Sequence, residues 1–468
     1  MSAKWGEITA GDILPSVSGE LLRGSREKRF SGFSADSRSI TEGCLFWALK
    51  GERFDGHDFV SQAIQKGAGG AVVRKDSGLN LQAESDAAVI AVGETLRALG
   101  DFASWWRHQH GSRVVGITGS AGKTSTKEMT AAALGLRGVT LRNQGNFNNL
   151  IGLPVTLLLL EEKHQFAVLE MGMNHLGEIG RLTEIADPEI GVITNVARAH
   201  LEGVGSIEGV ARAKVELIER MGSHAVAILN GDDPVLMRAA SPFKKQMLTF
   251  GKGPENDVRA ENIRALDREG ISFDVHTENK SFSVKLNIPG FQNVYNALAA
   301  AAVGLQVGLS SEEVVEGLRS FKGIHGRFTI TELPGGVILV DDTYNSNPFS
   351  LQAAMDSMKD LAKGRRMLVG LGEMFELGHE TVKAHMEAGV MVADLGARLF
   401  LALGEHAKVM IQGAVDKGFP EEKAVEVRDH KEMEERIRAE MRSGDFVFLK
   451  GSRRAGLDKV TEGLKERP

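Results

Sequence analysis

Cysteine is almost absent from this chain of 468 residues, where Cys44 stands alone. An intramolecular disulfide is therefore excluded, and so is a metal site built on cysteine ligands. Basic charge is not in excess either: the formal net charge is −6. That excludes a nucleic-acid binder working through bulk electrostatics and leaves basic side chains to act singly on particular anionic ligands. No hydrophobic run is long enough to span a bilayer; the longest, Ile151–Leu160, is interrupted by Pro154. Met1–Leu14 is polar and lacks the apolar core of a signal peptide, so a cytoplasmic location without membrane insertion is expected. There is no internal repeat and no low-complexity segment.

Glycine, by contrast, is abundant at 55 residues, which suits many strand-to-helix turns and phosphate-facing loops. A chain this long exceeds what one hydrophobic core organises, so two or three domains are expected. The first 90 residues mix short strand-like runs, Cys44–Leu49, Gly70–Val73 and Val89–Val92, with turn signals. From Glu94 to His108 the spacing predicts a helix with Leu96, Leu99, Phe102, Ala103 and Trp106 on one face. Strands at Arg113–Thr118, Phe166–Glu170, Ile190–Asn195 and Ala225–Leu229 then alternate with helices from near Lys123, at His175–Ile185 and at Ser206–Arg220. That rhythm predicts a mostly parallel sheet covered by helices. Val258–Ile288 reads as antiparallel strands, followed by an alanine-rich helix over Asn293–Val307. After Gly326 the rhythm restarts with Val337–Asp341, Met367–Leu371, Leu399–Leu403 and Phe446–Leu449. The expectation is an α/β protein of three domains, 1–90, 91–326 and 327–468, the last Rossmann-like.

The strongest chemical signal is Val114-Val115-Gly116-Ile117-Thr118-Gly119-Ser120-Ala121-Gly122-Lys123-Thr124-Ser125. A buried strand runs into glycines that let backbone N–H groups converge on phosphate oxygens, and the following helix adds the positive end of its dipole. Lys123 has the reach for the β- and γ-phosphates, and the Thr124 hydroxyl suits Mg²⁺. The longer phosphate-loop pattern has glycine where Ile117 stands, so the spacing here is the shorter Gly-x-x-Gly-Lys-Thr. A glycine turn beside a solvated lysine is the plainer alternative, and the strand before and helix after favour nucleotide binding over it.

With this shortened loop and the Ser125 after it, the chain resembles the Mur ligases and their relative folylpolyglutamate synthetase. The likeness runs along nearly the whole chain. It is carried by Gly145-Asn146-Phe147-Asn148-Asn149-Leu150-Ile151-Gly152-Leu153-Pro154, by Glu170-Met171-Gly172, and by Ala199-His200-Leu201-Glu202-Gly203. Ala213-Lys214-Val215-Glu216, Asn293-Val294-Tyr295-Asn296 and His325-Gly326-Arg327 continue it. Three further segments resemble the branch that adds D-alanyl-D-alanine: Asp341-Asp342-Thr343-Tyr344-Asn345-Ser346-Asn347-Pro348, Leu371-Gly372-Glu373-Met374-Phe375-Glu376-Leu377-Gly378 and Lys450-Gly451-Ser452-Arg453. The Asp-Asn-Pro-Arg tetrapeptide usual in the diaminopimelate-adding branch is missing. Two departures stand out: Gln292 where the family often has histidine, and Val215 after Lys214 where glycine is commoner.

The resemblance implies an ATP-dependent amide ligase acting through an acyl phosphate. Its substrates would be UDP-N-acetylmuramoyl-tripeptide and D-alanyl-D-alanine, and the enzyme is expected to be a monomer. Gly119, Ser120, Ala121, Gly122, Lys123, Thr124 and Ser125 would hold the phosphates. Asn293 and Asn296, on one helical face, would read adenine, and Arg327 and Asp342 would come from the third domain to the phosphates and ribose. Thr124 and Glu170 would hold one Mg²⁺, Glu170 lying at a strand's carboxyl end where open α/β sheets place ligands. A second Mg²⁺ would take His200 and a carbamylated Lys214; without the resemblance, Lys214 reads as a solvated helix lysine. Ser37, Arg38, Asp55 and His57 would contact the UDP group, and Asn148 and Asn149 the muramoyl substrate. Asn345, Asn347, Ser452 and Arg453 would face the dipeptide, whose carboxylate suits a guanidinium. A family member adding a single amino acid, a folylpolyglutamate synthetase-like ligase, and a phosphate-loop ATPase that moves a partner are the competing readings; the last leaves the downstream Asn, His and Lys residues unexplained.

Overall fold

The computed structural model describes residues 4–51, 53–78 and 86–466, so Met1–Ala3 of the N-terminal stretch lie outside the described residues. Within them the strands form three sheets. The central one runs, from edge to edge, Ser281–Leu286, Ile271–His276, Val258–Ala265, Gln246–Gly251, Val226–Asn230, Ile190–Ile193, Arg113–Thr118, His164–Glu170 and Val139–Arg142. Its pairings are parallel except for the two at the Ser281–Leu286 edge. Strand Arg113–Thr118 pairs with His164–Glu170 on one side and Ile190–Ile193 on the other, so the chain order reverses there. At such a switch point the crevice beyond the strand's carboxyl end is where open α/β sheets bind ligands. The Gly-x-x-Gly-Lys-Thr loop emerges there.

The first sheet orders Glu20–Arg23, Ala88–Val92, Gly70–Arg74, Leu45–Trp47 and Phe33–Ser34, parallel apart from its Glu20–Arg23 edge. Its strand Ala88–Val92 runs past residue 90. Helix Thr95–His108 follows and buries Leu99, Phe102, Ala103 and Trp106, with the Trp5 ring stacked on Trp106 at 4.7 Å. Leu96, expected on that face, is exposed. The first turn is anchored instead through the Thr95 carbonyl, which accepts from the buried Trp47 indole at 2.8 Å.

The third sheet orders Thr329–Glu332, Ile338–Asp342, Phe446–Lys450, Met367–Gly372, Leu399–Leu403 and Ala424–Val427, parallel except at the Thr329–Glu332 edge. The expected βα rhythm is thus present in both larger sheets. Several boundaries moved by one to three residues, two of them next to the site. The helix expected from His175 begins at Glu178, after Gly177 in a left-handed conformation. The strand expected to reach Asn195 ends at Ile193, because Thr194 and Asn195 peel away to bond the phosphate loop. Among the described residues no helix is long and apolar enough to cross a membrane.

Candidate active site

Two positions of the phosphate loop favour glycine strongly. Gly119 and Gly122 have φ of +147° and +82°, and added Cβ atoms would lie 1.9 Å from Thr194 Oγ1 and 2.3 Å from Asn296 Oδ1. Asn195 braces the loop: its backbone carbonyl accepts from Ser120 N at 3.0 Å, and its side chain accepts from Ala121 N at 2.9 Å. Those two amides are therefore occupied, and the Ser120 hydroxyl is turned to Ala197 O at 3.2 Å. Donors for an anion remain in the first turn of helix Lys123–Leu134, where Lys123, Thr124 and Ser125 have no intrahelical acceptor. Lys123 Nζ rests on Gly119 O at 2.8 Å.

Beside this loop lies a group of polar atoms buried without partners. Glu170 is buried; Asn148 Nδ2 donates to its Oε1 at 2.8 Å, while Oε2 has no hydrogen-bond partner. Lys214, on helix Ile207–Arg220, is fully buried and its Nζ has no partner. Burial, and then the nearby Lys123 charge, hold Lys214 well below the ordinary lysine range. Burial also lowers Lys123, opposed chiefly by the Glu170 charge. His200 is lowered by burial and lies 2.7 Å from Glu376 Oε2, close but not aligned as a hydrogen bond. Buried polar groups are nearly always satisfied, so such orphans point to an absent partner. The hydroxyl of Thr124 and the carboxylate of Glu170 are hard oxygen donors that fit Mg²⁺, with the His200 imidazole as a nitrogen donor beside them. The amine of Lys214 does not, unless it becomes an anion.

The third sheet closes the cleft. Arg327 Nη2 donates to Thr124 Oγ1 at 3.4 Å, its guanidinium lies 4.2 Å over the Tyr344 ring, and its Nε is buried unpaired. Asp342 is buried and accepts from Lys450 Nζ at 2.6 Å and from Phe328 N at 3.1 Å. Asn347 caps helix Pro348–Ala362 and donates to Ser120 O at 3.3 Å, so it joins the third sheet to the phosphate loop. Between the two sheets is a cavity of about 530 Å³ lined by Gly122, Thr124, Asn293, Asn296, Arg327 and Asp342 among others. Asn293 and Asn296 form a relay there. Thr126 Oγ1 donates to Asn296 at 3.3 Å, Asn296 to Asn293 at 3.2 Å, and Asn293 to Pro289 O at 2.7 Å. Gln292 accepts from Ser357 Oγ at 2.7 Å, a contact between the two sides of the cleft.

Other expected residues fall in quieter places. Ser452 is buried; it donates to Ser346 O at 3.1 Å and accepts from Phe375 N at 3.2 Å. Arg453 is two-thirds exposed, 5.6 Å from the Tyr344 ring, and Asn345 is exposed. Asn149 lies just before the helix Gly152–Leu157 and accepts from Gly152 N at 2.8 Å. On the first sheet, Ser37, Arg38, Asp55 and His57 all follow the carboxyl ends of parallel strands. Arg38 is exposed and paired with Asp36 at 2.7 Å. His57 Nδ1 is 2.5 Å from Asp55, and Nε2 accepts from Arg74 N at 2.9 Å, so His57 reaches a ligand only by giving up one of these.

Thr194, Asn195, Asp232, Tyr295 and Phe349 were not anticipated. The first two brace the loop; Asp232 accepts from Tyr295 OH at 2.9 Å and lines the cavity with it, as does Phe349. Polar residues directly after a buried strand, as Thr194 and Asn195 stand after Ile193, were the available signal.

Comparison with known proteins places the chain among relatives along its whole length. Models of the Mur ligase family catalytic domain, the Mur ligase middle domain and the Mur ligase glutamate ligase domain match residues 29–107, 117–304 and 326–453. The chain is 36% identical to UDP-N-acetylmuramoyl-tripeptide–D-alanyl-D-alanine ligase of Escherichia coli (strain K12), over 98% of each. A crystal structure of MurF from Acinetobacter baumannii superposes with a TM-score of 0.88 at 32% identity, covering 98% of this chain and 99% of that one. MurF from Thermotoga maritima in complex with ADP gives 0.82 at 26% identity, covering 93% and 97%.

Proposed function

The chain belongs to the Mur ligase family, and on that premise we propose that it is the ATP-dependent, ADP-forming ligase that joins D-alanyl-D-alanine to UDP-N-acetylmuramoyl-tripeptide in peptidoglycan precursor synthesis. The observation that carries this reading is the convergence of the third-sheet segments on the phosphate loop, through Arg327 to Thr124 and Asn347 to Ser120. That arrangement suits a reaction in which a nucleotide and an acceptor amine meet in one cleft.

A carboxylate and an amine do not condense at neutral pH, because the leaving oxygen is poor. In the proposed reaction the tripeptide carboxylate attacks the γ-phosphorus and the bond to the β-phosphate oxygen breaks. ADP leaves, an acyl phosphate forms, and the dipeptide amine then displaces phosphate as it loses its proton. Lys123 and Arg327 offer fixed positive charge where the phosphate negative charge builds. Mg²⁺ held by Thr124 and Glu170, and a second ion held by His200 and carbamylated Lys214, would add further positive charge. Lys214 is suited to that modification, since only an unprotonated amine adds CO₂ to give a carbamate and a proton, and burial favours the unprotonated form.

Asn148, already bonded to Glu170, and Asn149, bonded to the start of the next helix, would face the muramoyl substrate. The region 1–90 takes the UDP group through Ser37 and Arg38, residues 91–326 take ATP, and 327–468 take the dipeptide. Arg453 is the cation for its carboxylate, with Asn345 exposed nearby in the same region. All these elements come from one chain, so we read the enzyme as a monomer, and its nucleotide-linked substrate as cytoplasmic. The test supplies UDP-N-acetylmuramoyl-tripeptide and ATP with D-alanyl-D-alanine, D-alanine, diaminopimelate or lysine in parallel. Phosphate release and product are expected with the dipeptide; a single amino acid ligated as efficiently would overturn the choice of acceptor.

A further inference from the structure

The turn that carries His200 meets the segment Glu373–Glu387 of the third sheet across the cleft. His200 Nδ1 is 2.7 Å from Glu376 Oε2, and the Glu202 amide donates to the Glu376 carbonyl at 3.3 Å. Arg198 reaches two carboxylates, Glu380 at 3.2 Å and Glu387 at 2.8 Å. His200 and Glu376 both have left-handed backbones, with φ of 55° and 65°. Residues other than glycine keep that conformation where surrounding contacts hold it. Among the described residues Glu376 is the one carboxylate within ion-pair reach of His200.

The far side of this segment is braced. Met374 N donates to His385 Nε2 at 3.0 Å, and His385 Nδ1 is 2.7 Å from Thr381 O. Glu373 Oε1 lies 2.5 Å from His406 Nδ1, and its carbonyl accepts from Ser452 N at 3.0 Å. Glu373, His385 and His406 are close enough to suggest a metal site, yet both His385 nitrogens are engaged with backbone, so the trio works as a support. Glu376 is thus presented to His200 from a rigid arm.

We infer that Glu376 is a positioning residue for His200, and that Arg198 is the latch that holds the arm in place. Glu376 stands within ion-pair reach of one ring nitrogen of His200, the position from which a small rotation lets a carboxylate orient an imidazole and leave its other nitrogen free to ligate. Because the carboxylate belongs to the third sheet, His200 becomes oriented only when that sheet has closed on the central one. This rests on the reading of His200 as a ligand at the reaction centre.

The test is a double-mutant cycle in the full-length enzyme with His200→Ala, Glu376→Ala and both. Both Glu376 and Arg198 are partly exposed, at 45% and 35%, and an unchanged melting temperature verifies that the variants fold. Glu376→Ala is expected to lower kcat on the order of tenfold and to raise the Mg²⁺ concentration giving half-maximal turnover. In the His200→Ala background it should change neither. Equal losses in both backgrounds would overturn the positioning role. Arg198→Glu should lower kcat, and adding Glu387→Arg should restore most of the loss; a folded double variant without recovery would overturn the latch. Wild-type turnover in His200→Ala would instead overturn the reading of the centre, and the inference with it.

Discussion

The cleft beside the phosphate loop and the loops at the end of the first sheet are both assigned to anionic substrates, yet they are built in opposite ways. In the cleft, Glu170, Lys214 and Arg327 carry buried polar atoms with no partner in the chain. On the first sheet, Arg38 pairs with Asp36 in a surface turn, and His57 is satisfied on both ring nitrogens. An isolated buried charge destabilises a fold by several kcal/mol, so it persists where something else holds it in place. Unpartnered buried atoms also occur singly elsewhere, at His110 and Thr130 for example; what sets the cleft apart is that a carboxylate, an amine and a guanidinium are left so together around one loop.

Substitutions break or sharpen that contrast in graded steps. Lys123→Ala should lower turnover on the order of 10²- to 10³-fold, with the fold intact because no core packing is lost; near-normal turnover at an unchanged melting temperature would remove the phosphate loop from the account. Lys214→Met should also abolish ligation, while holding or raising the melting temperature, since a buried unpaired amine is replaced by an apolar chain of similar length. Its pH signature has a definite sign. In CO₂-free buffer the unfolded lysine binds a proton up to its ordinary value of 10.5, whereas the folded one loses it well below. Wild-type stability should therefore rise with pH across that window and fall as pH drops toward the folded value, a slope that urea titrations of Lys214→Met would lack.

Arg327→Ala should raise the KM for ATP about tenfold and weaken closure, read as a larger radius of gyration with an ATP analogue and substrate bound. Arg38→Ala marks the small end: a change in KM for the UDP substrate below about fivefold, with kcat untouched. A larger loss at Arg38 than at Arg327 would invert the comparison.

Much of this was legible from sequence, for reasons that differ by residue. Gly119 and Gly122 stand out because the backbone admits no Cβ there, so the loop's geometry is written in its composition. The strands missed, Glu20–Arg23, Phe33–Ser34, Val139–Arg142, Thr329–Glu332 and Ala424–Val427, are sheet edges. There, partial exposure weakens the hydrophobic signal. Gln246–Gly251 was missed inside the central sheet, where three of its six residues are half-buried and one is exposed. Lys214 could not be distinguished from a solvated helix lysine by periodicity alone; its burial is a tertiary fact, and only the family likeness anticipated it. Arg198 and Glu376 owe their interest to partners about 180 residues away in the chain, a relation no local pattern contains.

Lys214, the buried amine left without a partner beside the phosphate loop, decides whether that cluster is the reaction centre. Carbon-13 NMR of the active enzyme equilibrated with labelled bicarbonate reports a lysine carbamate as a distinct carbonyl resonance. One such signal is expected in the wild-type protein, absent from Lys214→Ala, with turnover partly restored in that variant by a small carboxylic acid. Full ligase activity in a protein that shows no carbamate signal would contradict it.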